Sequence, residues 1–248
     1  FIGACAGQYA SASCSVIIGN IVGTKVSGSS NVMIGRCVAK DTSTGSSGYS
    51  NVFMGYYTAQ DHTTGKYNVM FGHKAGRCFT TGCCNIVMGV CTFGADHSAD
   101  ATGNNNVILG SKAGRTITSA SNNILLGNEA GHCLTTGNGN VILGCKAGAG
   151  ATTVSSSIAI GECALFNHTA NNVIAIGPKA HSSSTGYGYG TVAIGMCAGL
   201  CNTTGQLNTY VGKDAGKLAT GGTYNAYFGQ SAGLCATGNT NTMIGACA

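Results

Sequence analysis

Asn31-Val32-Met33-Ile34-Gly35 decides the fold, because slightly varied copies of it return about every 17 residues along all 248. The closing glycines are Gly3, Gly19, Gly35, Gly55, Gly72, Gly89, Gly110, Gly127, Gly144, Gly161, Gly177, Gly195, Gly212, Gly229 and Gly245. Most lie 16 to 18 residues apart, with longer intervals from Gly35 to Gly55 and from Gly89 to Gly110. The chain is therefore a stack of near-identical units.

Written out, the unit is Asn-Val-x-Ile-Gly-x-x-Ala-Gly, then a variable stretch, then often Thr-Thr-Gly before the next Asn, as from Asn68 to Cys84. Each unit offers one short apolar strand and two glycine turns, which is too little for a helix of about 10 to 12 residues. The spacing predicts an all-β fold, a parallel β-solenoid or β-roll of about fifteen rungs of roughly 17 residues. The array is expected to run as a single repeat domain over residues 1–248.

Within each triplet the first and third residues, such as Val32 and Ile34, are expected to face inward, since side chains alternate across a strand. The middle residue then faces out. It reads Met33, Phe53, Met70, Val87, Ile108, Leu125, Ile142, Tyr210, Tyr227 and Met243 on ten of the rungs, and it is never charged. An uncharged column of this length exceeds what soluble monomers leave exposed, so these ten residues are expected to form the interface of identical rods associated side by side around a shared axis. The alternative is that the middle residue lies inside one solenoid and its neighbours pack elsewhere. Four residues before most motif glycines stands an Asn (Asn31, Asn51, Asn68, Asn85, Asn106, Asn123, Asn140, Asn208, Asn225, Asn241), which reads as a side-chain ladder.

Composition excludes several classes. Only 8% of residues are charged and 41 are glycine, yet the glycines keep register with apolar triplets, which a disordered Gly/Ser segment would not do. Twelve Lys and Arg against seven Asp and Glu are scattered singly, which disfavours nucleic-acid binding. No run approaches the roughly 20 apolar residues of a membrane span. Both ends of the sequence fall inside a repeat, so the chain is expected to be a segment of a longer fibre or to stack end to end.

The fourteen cysteines fall largely in two columns, two and six residues after the motif glycine. Disulfides are expected from Cys78 to Cys91, Cys133 to Cys145, Cys235 to Cys247 and Cys197 to Cys201, with small buried thiols as the competing reading. Bridges of that kind would place the chain in an oxidising setting. Zinc is disfavoured because neither Cys83-Cys84 nor Cys197 to Cys201 has finger spacing with a His. The first column also carries Lys112, Glu129 and Lys146 on successive rungs, a solvated charge ladder.

No catalytic residue, cofactor or metal is expected. The carboxylates Asp41, Asp61, Asp96, Asp100, Glu129, Glu162 and Asp214 are dispersed, and no serine or cysteine sits in a nucleophile motif. Asp96-His97 with Asp100, and Asp61-His62, lie in the two long intervals and are the only polar clusters of note. Asn167-His168-Thr169 and Asn202-Thr203-Thr204 match the glycosylation sequon.

Ser157-Ile158-Ala159-Ile160-Gly161 and Thr191 to Gly195 resemble the repeats of trimeric autotransporter adhesin heads, which implies a trimeric β-roll. The longer form at Asn208 to Gly216 and Asn68 to Gly82 is similar to repeats of phage and large-virus tail-fibre proteins. The rungs are longer and richer in cysteine than in the adhesin heads. The resemblance implies a structural fibre or shaft on a virion surface or another extracellular filament, supporting attachment to a host receptor or glycan. A flat-faced binding solenoid, ice-binding or carbohydrate-binding, is the alternative. The Thr-Thr-Gly turns at Thr63, Thr80, Thr135 and Thr203 suggest it.

Overall fold

The computed structural model describes residues 1–40, 45–96, 100–183 and 188–248. The chain forms two compact units, Phe1–Asn123 and Ile124–Ala248. The first carries β1 (Val16–Asn20), β2 (Val32–Arg36), β3 (Val52–Tyr56), β4 (Val69–Phe71), β5 (Ile86–Met88) and β6 (Val107–Leu109). The second carries β7 (Ile124–Leu126), β8 (Val141–Leu143), β9 (Ile158–Ile160), β10 (Ile174–Ile176), β11 (Val192–Ile194), β12 (Thr209–Val211), β13 (Ala226–Phe228) and β14 (Thr242–Ile244). No helix occurs among the described residues.

Each unit is a parallel β-solenoid with one strand per turn. Every paired strand lies parallel to the next in sequence and in register with it: in the first unit Met33 stands opposite Phe53, Phe53 opposite Met70, Met70 opposite Val87 and Val87 opposite Ile108. In the second, Leu125 stands opposite Ile142 and Tyr210 opposite Tyr227. The first of the fifteen motifs forms no strand; it contributes a single bridge, Ile2 to Ile18.

The direction of the triplet is the reverse of the sequence expectation. Met33, Phe53, Met70, Val87, Ile108, Leu125, Ile142, Tyr210 and Tyr227 are fully buried inside the solenoid, and Met243 in β14 is half-buried. None of the ten is an outer interface residue. The reason is the Asn two positions earlier, which shares their face of the strand. Its side chain must turn inward, where Asn51 Nδ2 donates to the Gly65 carbonyl at 2.9 Å across the turn. The parity set by Asn carries the middle residue in and sends its two neighbours out.

The interior is narrow, so the middle residue packs on the position six further along. A methyl placed on Gly76 would meet Met70 Sδ at 2.5 Å, and one on Gly216 would meet the Tyr210 ring at 2.6 Å. On three turns with a small middle residue the later position is large and buried: Val87 with Phe93, Ala159 with Leu165, Ala175 with His181. On those turns the exchange keeps the core filled. Burying each large middle side chain contributes about 1.5 to 3 kcal/mol.

The Asn column is a continuous ladder in the first unit. Asn68 Oδ1 accepts from the backbone N–H and the amide of Asn85, both at 3.0 Å, and Asn68 Nδ2 donates to Asn51 Oδ1 and the Gly82 carbonyl. In the second unit Ser157, Val173 and Thr191 interrupt it; Ser157 still accepts the Val173 N–H on its hydroxyl. Asn68→Ala orphans several buried donors and acceptors at once and is expected to lower stability by about 3 kcal/mol or more, read from the urea midpoint. Asn241→Ala, at a half-buried turn, is expected to cost under about 1 kcal/mol. Equal midpoints for the two variants would remove the ladder from the account of stability.

Candidate interaction surface

With the middle residue inside, the two flanking columns form the outer face of each sheet. In the first unit the twelve positions that flank the middle residue, from Val16 and Ile18 to Val107 and Leu109, are Val, Ile, Leu, Met or Phe, while Asn20, Arg36 and Tyr56 end β1, β2 and β3 on the same face. In the second unit fourteen of sixteen are apolar, the exceptions being Thr209 and Thr242. None of these flanking residues is charged, and all are half-buried or exposed. A sheet with solvent on one face normally alternates apolar and polar, whereas these strands read apolar on both faces, the signature of parallel sheets covered on both sides. The stripe therefore exists, on the residues beside those the sequence reading assigned to it.

The cysteine expectation is also corrected. None of the fourteen cysteines is in a disulfide, including Cys78, Cys91, Cys133, Cys145, Cys197, Cys201, Cys235 and Cys247. In-register stacking places like positions over like. Cys91 N–H donates to the His73 carbonyl and so sits over Lys74, while Cys78 N–H donates to the Gly94 carbonyl. Cys78 and Cys91 therefore occupy different columns, four residues apart along the turn. Burial pushes the Cys78 thiol up to about 11, so it behaves as a small core residue rather than a nucleophile.

The polar clusters resolve into structural parts. Asp96 is held by Arg115, whose Nε and terminal nitrogen lie 2.8 and 2.7 Å from Oδ1; His97 and Asp41 lie outside the described residues. His62 is a core residue: Nε2–H donates to the Gly65 carbonyl at 2.9 Å, Nδ1 accepts from Ser46 at 2.8 Å, and the ring lies between Phe53 and Phe79. His168 and His181 form a second buried pair with ring centroids 4.7 Å apart. Asn202 is buried and its amide is bonded to Gly205 and His181, which leaves Asn167 as the exposed sequon asparagine. Lys146 and Glu129 approach to 4.0 Å at the surface, worth a few tenths of a kcal/mol.

No group of three or more metal-ligating side chains occurs among the described residues. In three of the four Thr-Thr-Gly turns the first hydroxyl is engaged in the stack. Thr63, Thr135 and Thr203 each donate to a carbonyl of the next turn, at Thr80, Thr152 and Thr220, at 3.0 Å.

One surface cluster escaped the sequence reading because its members lie on three different turns. In the first unit the Arg36 guanidinium lies 5.5 Å from the Tyr56 ring centre, and Tyr56 stacks on His73 at 5.4 Å and contacts Tyr57 at 4.2 Å. Arg77 in turn lies 5.7 Å from the Tyr57 ring and donates through Nε to Gln60 Oε1 at 3.2 Å. Aligning the rungs by column would have found it, since Arg36, Tyr56 and His73 each directly follow a motif glycine.

No protein-family model matches the chain, and no curated protein or solved structure is significantly similar to it.

Proposed function

We propose that the protein is a non-catalytic structural fibre or shaft segment that assembles side by side as a homotrimer and supports attachment of a virion or another extracellular filament to a surface. The observation that carries this reading is the uncharged outer face of the sheets. In the second unit it runs over eight strands, about 35 Å at the strand spacing, and is about 10 Å wide. A patch on the order of 350 Å² is the size of the largest apolar patch on a typical monomer, which is often functional. A parallel copy of the same chain presents an apolar pair at most turns with the same spacing, so identical faces meet rung by rung around a shared axis. The resemblance of the repeat to fibre proteins supports the same role. With no disulfide among them, the cysteines no longer argue for an oxidising compartment.

The experiment is a mass measurement in solution on two single variants of adjacent residues in β8. Leu143→Lys places a charge on the outer face and is expected to convert a trimer into a folded monomer. Ile142→Lys places the same charge in the core and is expected to unfold the second unit, since an unpaired buried charge costs several kcal/mol. A wild-type monomer at micromolar concentration, or a trimer unaffected by Leu143→Lys, would refute the assembly.

A further inference from the structure

We infer that the corner built by Arg36, Tyr56, Tyr57, His73 and Arg77 is a binding site for an acidic saccharide, engaging its carboxylate or sulfate groups. The inference deepens the attachment reading above and rests on it for its biological sense, though the binding itself does not require the trimer.

The first observation is charge. Residues 1–123 hold eight Lys and Arg against four Asp, while residues 124–248 hold four against three. The excess of the first unit thus includes the two arginines of this corner, with Lys40 and Lys74 nearby in sequence on the same turns. Arg36 and Arg77 pair with no carboxylate among the described residues. Asp61 is the described carboxylate nearest to Arg77 in the chain, and its backbone N–H donates to the Arg77 carbonyl.

The second observation is preorganisation. A guanidinium held over a tyrosine ring, at 5.5 Å for Arg36 and 5.7 Å for Arg77, is restrained in position while its N–H groups stay available in a fork that matches a planar or tetrahedral oxyanion. Arg77 is held further by Gln60, a side chain 7% exposed whose oxygen takes the Nε proton and leaves the terminal nitrogens for a ligand. Arg36 follows Gly35 and Arg77 belongs to the turn after β4, so the two forks stand two turns apart, about 10 Å along the stack. Two acidic groups on an extended glycan reach that far, and the tyrosine hydroxyls and ring edges between them suit sugar hydroxyls.

The third observation is extent. The column after the motif glycine reads Asn20, Arg36, Tyr56, His73, Val90, Ser111, so the basic and aromatic character is confined to three turns. A nucleic acid needs a continuing basic track and free ring faces for its bases. Here Tyr56 already carries Arg36, His73 and Tyr57 against its ring.

The test is binding of a heparin-derived oligosaccharide and of sialylated lactose to the intact protein, with lactose as the neutral control. The acidic sugars are expected to bind and lactose not to. Arg36→Ala with Arg77→Ala is expected to weaken binding about tenfold or more, and Arg36→Lys with Arg77→Lys to weaken it as well, because the fork is lost while the charge is kept. Lys179→Ala with Lys213→Ala removes two exposed charges from the second unit and is expected to change binding less than about twofold. Equal loss in both double alanine variants, equal binding of lactose, or tighter binding of a single-stranded oligonucleotide or an acidic peptide would overturn the inference. Mass measured on the same samples separates the outcomes: a trimer that binds no acidic sugar refutes the site alone, and a monomer that binds it refutes the assembly alone.

Discussion

Gly35→Ala is expected to abolish the fold of the first unit around β2 and β3, with a loss above about 4 kcal/mol in urea unfolding. Two effects add. Gly35 has φ +139°, a region that side chains other than glycine reach only at a cost of about 1 to 3 kcal/mol. A methyl there would also lie 1.8 Å from the Gly55 carbonyl oxygen and 2.8 Å from its carbon. That obstacle is backbone of the next turn, so it yields only by separating β2 from β3. Gly221→Ala is the control: its φ is not positive, and the nearest atom is the end of the Thr204 side chain at 3.3 Å. It is expected to stay within about 0.5 kcal/mol of wild type. A Gly35→Ala protein with the wild-type urea midpoint would show that the turns tolerate separation and would overturn the close-stacking account.

Lowering the pH from 7 to 4.5 is expected to destabilise both units, the second more than the first. Burial lowers His62 to about 4, and it lowers His168 to about 4 and His181 to about 3, the last pushed further by its neighbour His168. In the unfolded chain each titrates near 6.5. Folding thus favours the neutral rings, and their contribution is complete above about pH 6.5. It is lost progressively as pH falls through the window between that value and the folded-state values. A difference of two to three units corresponds to about 3 kcal/mol for His62 at the acid end of the window, and the second unit contains two such rings. His168 Nε2 and His181 Nδ1 have no hydrogen-bond partner among the described residues, so that pair is the weaker point even when neutral. Urea midpoints at pH 7.5, 6.5, 5.5 and 4.5 read this out, with His62→Phe flattening the part that belongs to the first unit. Unchanged midpoints across the series would mean that the rings are hydrated.

The repeat length, the absence of helix and the parallel stacking were legible because they depend only on where glycines and apolar residues recur. Which face of the triplet turns inward was not, because Val32, Met33 and Ile34 are all apolar and periodicity alone does not choose between them. Asn31 held the missing information. A polar side chain that must cap turn carbonyls inside a narrow coil fixes the parity of the whole strand, and the two apolar neighbours of Met33 follow from it. The cysteine pairs failed for a related reason. Being on adjacent rungs is not being adjacent, since four residues along a turn span up to about 13 Å, far beyond the spacing of a disulfide. The acidic-sugar corner was hidden by chain separation: Arg36 and Arg77 are 41 positions apart and meet only through the coil.

In-register stacking also bears on how such a chain changes over generations. Each turn touches little beyond the turns before and after it, so a whole period can be gained or lost by recombination between neighbouring copies while every column remains aligned. A change of half a period would throw asparagines onto the outside and valines into the coil. Length is therefore a heritable dimension adjustable in steps of one strand spacing, about 4.8 Å. A cluster carried on only three turns moves up or down such a ruler without being rebuilt.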